Sequence, residues 1–127
     1  FIDPQDLADQ TLITYPVDRD RLDVFTGFLD PAGVDPTEVR NAELTPMMVQ
    51  LVASGRGVAC LPNWALTEYL ANELLTAKRL SQNGLWGRLY AAVRREQLED
   101  PFMQEFLSTA ITTCFRHLSG IKRIEGA

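Results

Sequence analysis

The sequence predicts an α/β fold with a mainly parallel sheet and helices on both faces, and three observations support this. Short runs of β-forming residues alternate with helical patterns along the chain, which is typical of α/β layers. Proline, glycine, asparagine and aspartate separate these runs, as expected for turns. Residues 43–64 read as one unit, in which a helix, a glycine turn, a short apolar strand and a sharp exit follow one another.

The first third of the chain predicts a strand, a helix and a second strand. The run TLITY at Thr11–Tyr15 is rich in β-forming residues. Asp18 is placed to cap the helix that follows, and Pro31 and Gly33 end it. TEVRNA at Thr37–Ala42 is a weaker strand. The apolar face of the helix is predicted at Leu22, Phe25, Phe28 and Leu29.

The central helix is the most strongly indicated element. Thr45 is a good N-cap, because its hydroxyl can accept a hydrogen bond from a free backbone N–H. Pro46 suits the first helical position, and Gly55 and Gly57 close the helix. The strand VACL at 58–61 follows. The apolar face is predicted at Met47, Met48, Leu51 and Val52.

The last half of the chain completes the order β-α-β-α-β-α-β-β-α. A helix is expected over about 63–74, a short strand over Thr76–Leu80, and a strand over Leu85–Arg94, where apolar and polar residues alternate. The final helix starts at Asp100-Pro101. It is apolar around much of its girth, so we expect partners on more than one side, part of them outside this chain.

Composition limits the function. The chain has 127 residues, 46% hydrophobic and 23% charged, as in one globular domain. A net charge of −5 argues against direct binding of this chain to nucleic acid. No apolar run approaches the ~18 residues that span a membrane. Cys60 and Cys114 are expected to be free thiols in a cytoplasmic protein. Because the sequence begins with Phe1, we expect a segment of something longer.

Catalytic and metal-binding patterns are absent from the sequence. There is no P-loop, GxGxxG or CxxC motif, and the turn Gly55-Arg56-Gly57 follows a helix rather than a strand. The only histidine, His117, has no nucleophile or acid at a suitable spacing, and it forms no zinc site with the two cysteines. We therefore expect neither an enzyme nor a metal or cofactor.

A ligand site is predicted at the carboxyl ends of the strands, where open α/β sheets bind ligands. The helix N-terminus near Thr45 favours a carboxylate, and the surrounding amides and aromatic rings suit a small zwitterion such as an amino acid. Ordinary capping and packing remain the alternative roles for Thr45, Tyr15 and Trp64. The candidate residues are Tyr15, Pro16, Glu43, Leu44, Thr45, Pro46, Pro62, Asn63 and Trp64.

Four stretches resemble the effector-binding domain of LysR-type transcriptional regulators. MVQLVASGRGVACLP resembles the family's helix, glycine turn and strand, and DLADQTLITYP resembles the start of its second regulatory subdomain. Two more specific stretches are YPVDRDRLDVFTGFLDPAG and GLWGRLYAAVR. The last two are most similar to the activators of methionine biosynthesis that respond to homocysteine. In the family, effector contacts fall on the loop before the central helix, here Glu43–Pro46, and after the first strand, near Tyr15. Arg56 stands where the family usually has an apolar residue.

The resemblance also implies an architecture and partners. Two subdomains like those of type II periplasmic binding proteins enclose the effector. Here 1–87 would be the second subdomain, 88–119 a crossover strand and the last helix of an incomplete first subdomain, and 120–127 a loose tail. We expect a cytoplasmic homo-oligomer, a dimer or tetramer, that reaches DNA only through a helix-turn-helix absent from this chain. The alternatives are half of an amino-acid solute-binding protein and a small α/β enzyme.

Overall fold

A parallel three-stranded sheet organises the chain in the computed structural model, which describes residues 1–124. Its strands are β1 (Thr11–Thr14), β2 (Glu38–Asn41) and β3 (Val58–Ala59), in the order β2-β1-β3. Leu12 of β1 is in register with Val39 of β2 and Val58 of β3. The prediction of a mainly parallel α/β fold is therefore confirmed.

The two faces of the sheet carry separate apolar clusters, because successive residues of a strand point to opposite sides. Leu12 packs on one face among residues before β1 and between β1 and β2. Ile13 packs on the other face with Ala42 and Met48. Helical segments thus cover both faces. The first cluster consists of Leu7, Leu12, Val24, Phe25, Phe28 and Leu29.

The segment after β1 is less regular than predicted. It forms a 3-10 turn at Arg19–Arg21, a wide π-helical stretch at Phe25–Leu29 and a 3-10 turn at Asp30–Ala32. Asp18 makes no side-chain cap hydrogen bond, so the prediction of a regular helix capped by Asp18 was wrong. Glycine and proline within so short a stretch disfavour a uniform α-helix, and burial of the predicted apolar residues decides its geometry instead.

A surface ion network holds this segment. The Arg19 guanidinium donates to Asp30 at 2.5 Å and to Asp35 at 2.6 Å, and it lies 4.2 Å from the centre of the Phe25 ring. The hydrogen bonds that Arg19 donates to these two carboxylates raise the pKa of its guanidinium. The network is solvent-exposed, so its contribution to stability is modest.

The central helix, α1 (Thr45–Ala53), is present, but Leu44 rather than Thr45 is its N-cap residue. Met48 and Val49 are buried, whereas the predicted core residue Met47 is 55% exposed. Adjacent helical residues are ~100° apart, and centring the buried face on Met48 and Val49 turns Met47 outward. At the close of the helix, Gly57 has φ +151°, and a Cβ there would lie 2.4 Å from the Thr11 carbonyl oxygen.

Later elements are shorter than predicted. Residues 63–74 contain a 3-10 turn at Asn63–Leu66 and helix α2 (Thr67–Ala71). Within residues 1–124, the predicted strands at 76–80 and 85–94 do not form, apart from an isolated parallel bridge between Ile2 and Leu80. Alternating polarity alone does not make a strand, because a strand also requires a backbone partner to pair with.

The last helix, α3 (Pro101–His117), begins where predicted, with Asp100 as the N-cap residue. Its half-buried stripe is flanked on both sides by exposed apolar residues. Phe102 and Phe106 are each 62% exposed on one flank, and Ile111 and Phe115 are 49% and 39% exposed on the other. The stripe consists of Met103, Leu107, Ala110, Cys114 and Leu118.

The chain divides into two compact units. The first contains residues 1–62 and 68–87, and the second contains residues 63–67 and, among the described residues, 88–124. The thiols of Cys60 and Cys114 are free, as predicted. Of the predicted loose tail, 121–124 has no regular structure and 125–127 lies outside the described residues. Among the described residues, the helices are all too short or too polar to span a bilayer.

Candidate functional site

Two predicted site residues meet directly in the first unit. The hydroxyls of Tyr15 and Thr45 are 2.6 Å apart, and both side chains are half-buried. Tyr15 is the first residue after β1, and Thr45 is the first residue of α1. The hydrogen bond therefore joins the carboxyl end of the central strand to the N-terminus of the helix, across 30 residues of sequence.

Parallel pairing of β1 and β2 brings these ends together. The Ala42 N–H donates to the Thr14 carbonyl at 2.9 Å, which extends the ladder past the last strand residues. The Thr14 hydroxyl donates to the Asn41 side-chain oxygen at 3.1 Å. Thr14 is 5% exposed, and this bond satisfies its buried hydroxyl. Sequence reasoning did not place Thr14 in the site; its only signal was a polar residue inside an apolar strand.

The hydroxyl pair favours a ligand group that accepts hydrogen bonds. Either oxygen can be the donor, so one of the two hydroxyl protons stays available. The helix dipole adds about 0.3–1 kcal/mol in favour of an anion close to the start of α1. Thr45 is thus not the predicted cap; its side chain is turned toward Tyr15.

The other candidates differ in where they lie. Pro16, Glu43, Leu44 and Pro46 are exposed and adjoin Tyr15 or Thr45 in sequence, and Leu44 is 64% exposed. Pro62 is also exposed and ends the segment that contains β3.

Asn63 and Trp64 belong to the second unit. There the Asn63 side-chain oxygen accepts the Trp64 N–H at 3.0 Å, and the Thr67 hydroxyl donates to the Trp64 carbonyl at 3.2 Å. These contacts start the 3-10 turn and helix α2. They give Asn63 a local structural role, because its side chain already bonds to the backbone.

One ion pair lies on the surface of the sheet. On exposed β2, the Arg40 guanidinium donates to Glu38 at 2.9 Å, and this bond lowers the pKa of the Glu38 carboxyl. Among the described residues, no group of histidine, cysteine and acidic side chains is arranged to hold a metal ion.

Comparison with known proteins decides the family. The model of the LysR substrate binding domain matches residues 1–114. The chain belongs to this family. The match confirms the resemblance seen in the sequence, and it also confirms that this is the effector-binding domain of a transcription regulator, not an enzyme.

Curated relatives match nearly the whole length of the chain. It is 41% identical over 124 residues to the HTH-type transcriptional regulator MetR of Escherichia coli, covering 98% of this chain and 38% of that protein. It is 39% identical over 117 residues to MetR of Haemophilus influenzae, covering 92% and 38%. The chain thus spans well under half the length of these relatives.

A solved structure agrees with the fold. The regulatory domain of MetR, a LysR family regulator from N. meningitidis, superposes with a TM-score of 0.84 at 35% identity. The match covers 97% of this chain and 56% of that domain. The architecture is therefore that of part of a LysR regulatory domain.

Proposed function

We propose that the chain senses homocysteine for a LysR-type activator of methionine biosynthesis. Its 41% identity to MetR supports the regulator type. The observation that carries the site is the Tyr15–Thr45 hydroxyl pair at the start of α1. The choice of homocysteine as the effector rests on the resemblance to methionine-biosynthesis activators. An amino-acid ligand agrees with the chemistry of the hydroxyl pair.

The proposed contacts divide by the ligand's charges. The free hydroxyl proton of the Tyr15–Thr45 pair and the first backbone N–H groups of α1 would receive the carboxylate. Glu43 is exposed two residues before the helix, and its carboxylate would complement the ammonium group. Pro16, Leu44 and Pro46 would form the rim on this side. We further propose Pro62, Asn63 and Trp64 as ligand contacts.

We propose that residues 1–87 are the second regulatory subdomain, and that 88–119 are the crossover strand and last helix of the first, followed by a tail at 120–127. Two observations support this. The described residues offer no strand partner to 88–94. The exposed apolar flanks of α3 are surfaces that a complete domain would bury. The regulatory domain from N. meningitidis is longer than this chain, which covers 56% of it.

The assembled regulator is proposed to be a cytoplasmic dimer or tetramer that contacts DNA through a helix-turn-helix outside these 127 residues. Effector binding would stabilise one arrangement of subunits over another. A ligand can shift such an equilibrium only by its difference in affinity for the two states. That shift would change the distance between the DNA-binding parts of the subunits.

An amide NMR titration of the chain with L-homocysteine tests the site, with L-methionine as the ligand control. We expect selective shifts at Tyr15, Thr45 and the start of α1, and weaker ones with L-methionine. Thr45→Val should abolish them, while Thr26→Val, an exposed threonine elsewhere in the first unit, should not. Absence of shifts at about 10 mM ligand, or equal shifts in the two variants, would contradict the proposal.

A further inference from the structure

Asn41 presents an unused donor group at the carboxyl edge of the sheet. It is the last residue of β2 and is in register with Thr14, the last residue of β1. The Thr14 hydroxyl donates to the Asn41 side-chain oxygen at 3.1 Å. Within residues 1–124 the Asn41 side-chain nitrogen makes no hydrogen bond to the protein, and the residue is exposed. Both protons on this nitrogen are therefore available to a ligand.

Thr14 fixes the direction in which this amide faces. The oxygen and the nitrogen of a side-chain amide lie on opposite sides of it, so holding the oxygen against Thr14 turns the nitrogen away from β1. Thr14 is 5% exposed, so water competes little for its hydroxyl. Its branched side chain also has few rotamers. The amide is thus oriented before a ligand arrives, which lowers the entropy that a ligand contact would lose.

The other end of the same two strands lacks this arrangement. There the Thr11 hydroxyl donates to the Glu38 carboxylate at 3.4 Å, and the Arg40 guanidinium donates to that carboxylate at 2.9 Å. A carboxylate only accepts hydrogen bonds, so Thr11 orients no donor group. Of the two threonine bonds between β1 and β2, only the one at the carboxyl edge leaves an oriented donor facing solvent. That edge is where open α/β sheets bind ligands.

The Asn41 amide and the Tyr15–Thr45 pair lie on opposite faces of this one edge. Side chains in register on neighbouring strands share a face, and the next residue along a strand faces the other way. Tyr15 accordingly packs against the cluster that contains Ile13, on the face away from Thr14. Neighbouring strands are about 4.8 Å apart and residues advance by about 3.3 Å, which puts the two polar groups within roughly 10 Å of each other. With hydrogen bonds of about 3 Å at each end, a ligand whose polar ends are about 5 Å apart joins them.

We propose that Asn41 recognises the end of the effector's side chain and that Thr14 is the positioning residue for Asn41. This assignment rests on the proposed function, in which the Tyr15–Thr45 pair binds the carboxylate of homocysteine. The carboxylate and the sulfur lie roughly 5 Å apart in the extended ligand. The Asn41 nitrogen donates to the sulfur, and the second lone pair of its oxygen accepts the S–H proton. A thioether or a methyl group has no such proton, so Asn41 selects a thiol.

Two ligands of equal length test this recognition. L-norvaline carries a methyl group where L-homocysteine carries its thiol. Amide NMR titrations of the 127-residue chain give a dissociation constant for each. A neutral hydrogen bond is worth about threefold to tenfold in affinity, so we expect L-homocysteine to bind more tightly by that factor. The side-chain amide signals of Asn41 should shift with L-homocysteine and not with L-norvaline.

Asn41→Leu measures the recognition itself, because it keeps the size of the side chain and removes its hydrogen bonds. The two dissociation constants should then agree within about twofold, and the one for L-norvaline should not change. Asn72→Leu is the matched control at another exposed asparagine of the first unit, and it should keep the preference for L-homocysteine.

Thr14→Val measures the positioning, because it removes the hydroxyl, keeps the volume and frees the Asn41 amide to rotate. The preference for L-homocysteine should fall, and Thr14→Ser should restore it. Serine is smaller than valine, so a loss of packing alone would not be reversed in this way. Thr11→Val removes the equivalent bond at the other end of β1 and should leave the preference unchanged.

Three results would overturn the assignment. An unchanged preference in Asn41→Leu, with binding still abolished by Thr45→Val, would remove Asn41 from recognition and leave the proposed function standing. Equal losses of preference in Thr14→Val and Thr11→Val would attribute the effect to strand pairing rather than to the orientation of the amide. Absence of L-homocysteine binding to the unaltered chain would overturn the proposed function and the role of Asn41 with it.

Discussion

Removing the Tyr15–Thr45 hydrogen bond should lower the free energy of unfolding by a small and measurable amount. Tyr15→Phe and Thr45→Val each delete one of the hydroxyls, which are 2.6 Å apart, with little change in volume. A neutral hydrogen bond contributes a net ~0.5–1.5 kcal/mol. Both side chains are half-buried, so a hydroxyl that loses its partner can turn to water, and we expect the lower half of that range.

A double-mutant cycle measures the pair itself, because it cancels the effects of each substitution alone. Each single variant should lose about 0.5–1 kcal/mol, and the double variant should lose little more than one of them. With a urea m-value of roughly 1–3 kcal/mol/M, the midpoint should fall by a few tenths of a molar unit. Far-UV circular dichroism in urea is the assay.

Tyr69→Phe is the matched control. Tyr69 is also half-buried, and within residues 1–124 its hydroxyl makes no hydrogen bond to the protein. Its loss should leave the urea midpoint nearly unchanged. Strictly additive losses in the Tyr15–Thr45 cycle would refute the reasoning, because the two hydroxyls would then contribute independently. The bond could no longer be said to fix the start of α1 against β1.

Two further predictions concern Gly57 and Cys60, the residues on either side of β3. Gly57→Ala should lower the free energy of unfolding by about 2–4 kcal/mol, because the φ of Gly57 is +151° and the added Cβ would press on the Thr11 carbonyl. Gly55→Ala is the control: it has open space around it and should cost only about 1 kcal/mol. Equal losses in urea unfolding would contradict this. Burial raises the pKa of the Cys60 thiol from 9.0 to about 11. The folded state therefore favours the neutral thiol. The resulting contribution to the free energy of unfolding is fully present below pH 9 and is lost as the pH rises toward 11. The unfolding free energy of Cys60→Ala should fall less over this range, and parallel pH profiles would exclude the effect.

Local signals in the sequence determined several elements correctly. β-forming residues located β1 and β2, and Asp100-Pro101 located the start of α3. Each of these depends on residues close together in the chain, so a short pattern contains the information. The burial of Phe25, Phe28 and Leu29 was also predicted, even though the helix that holds them is irregular.

Contacts between distant residues decided the rest. The sequence made Thr45 a cap, but Tyr15 lies within 2.6 Å of its hydroxyl and Leu44 takes the cap position. The alternation at 85–94 indicated a strand, yet none forms within residues 1–124. The partner of the Thr45 hydroxyl and the partner of a strand both come from distant parts of the chain, so a local pattern does not contain them. The sequence by itself therefore determined the family and the α/β layers, and the tertiary structure alone decided which hydroxyls meet at the candidate site.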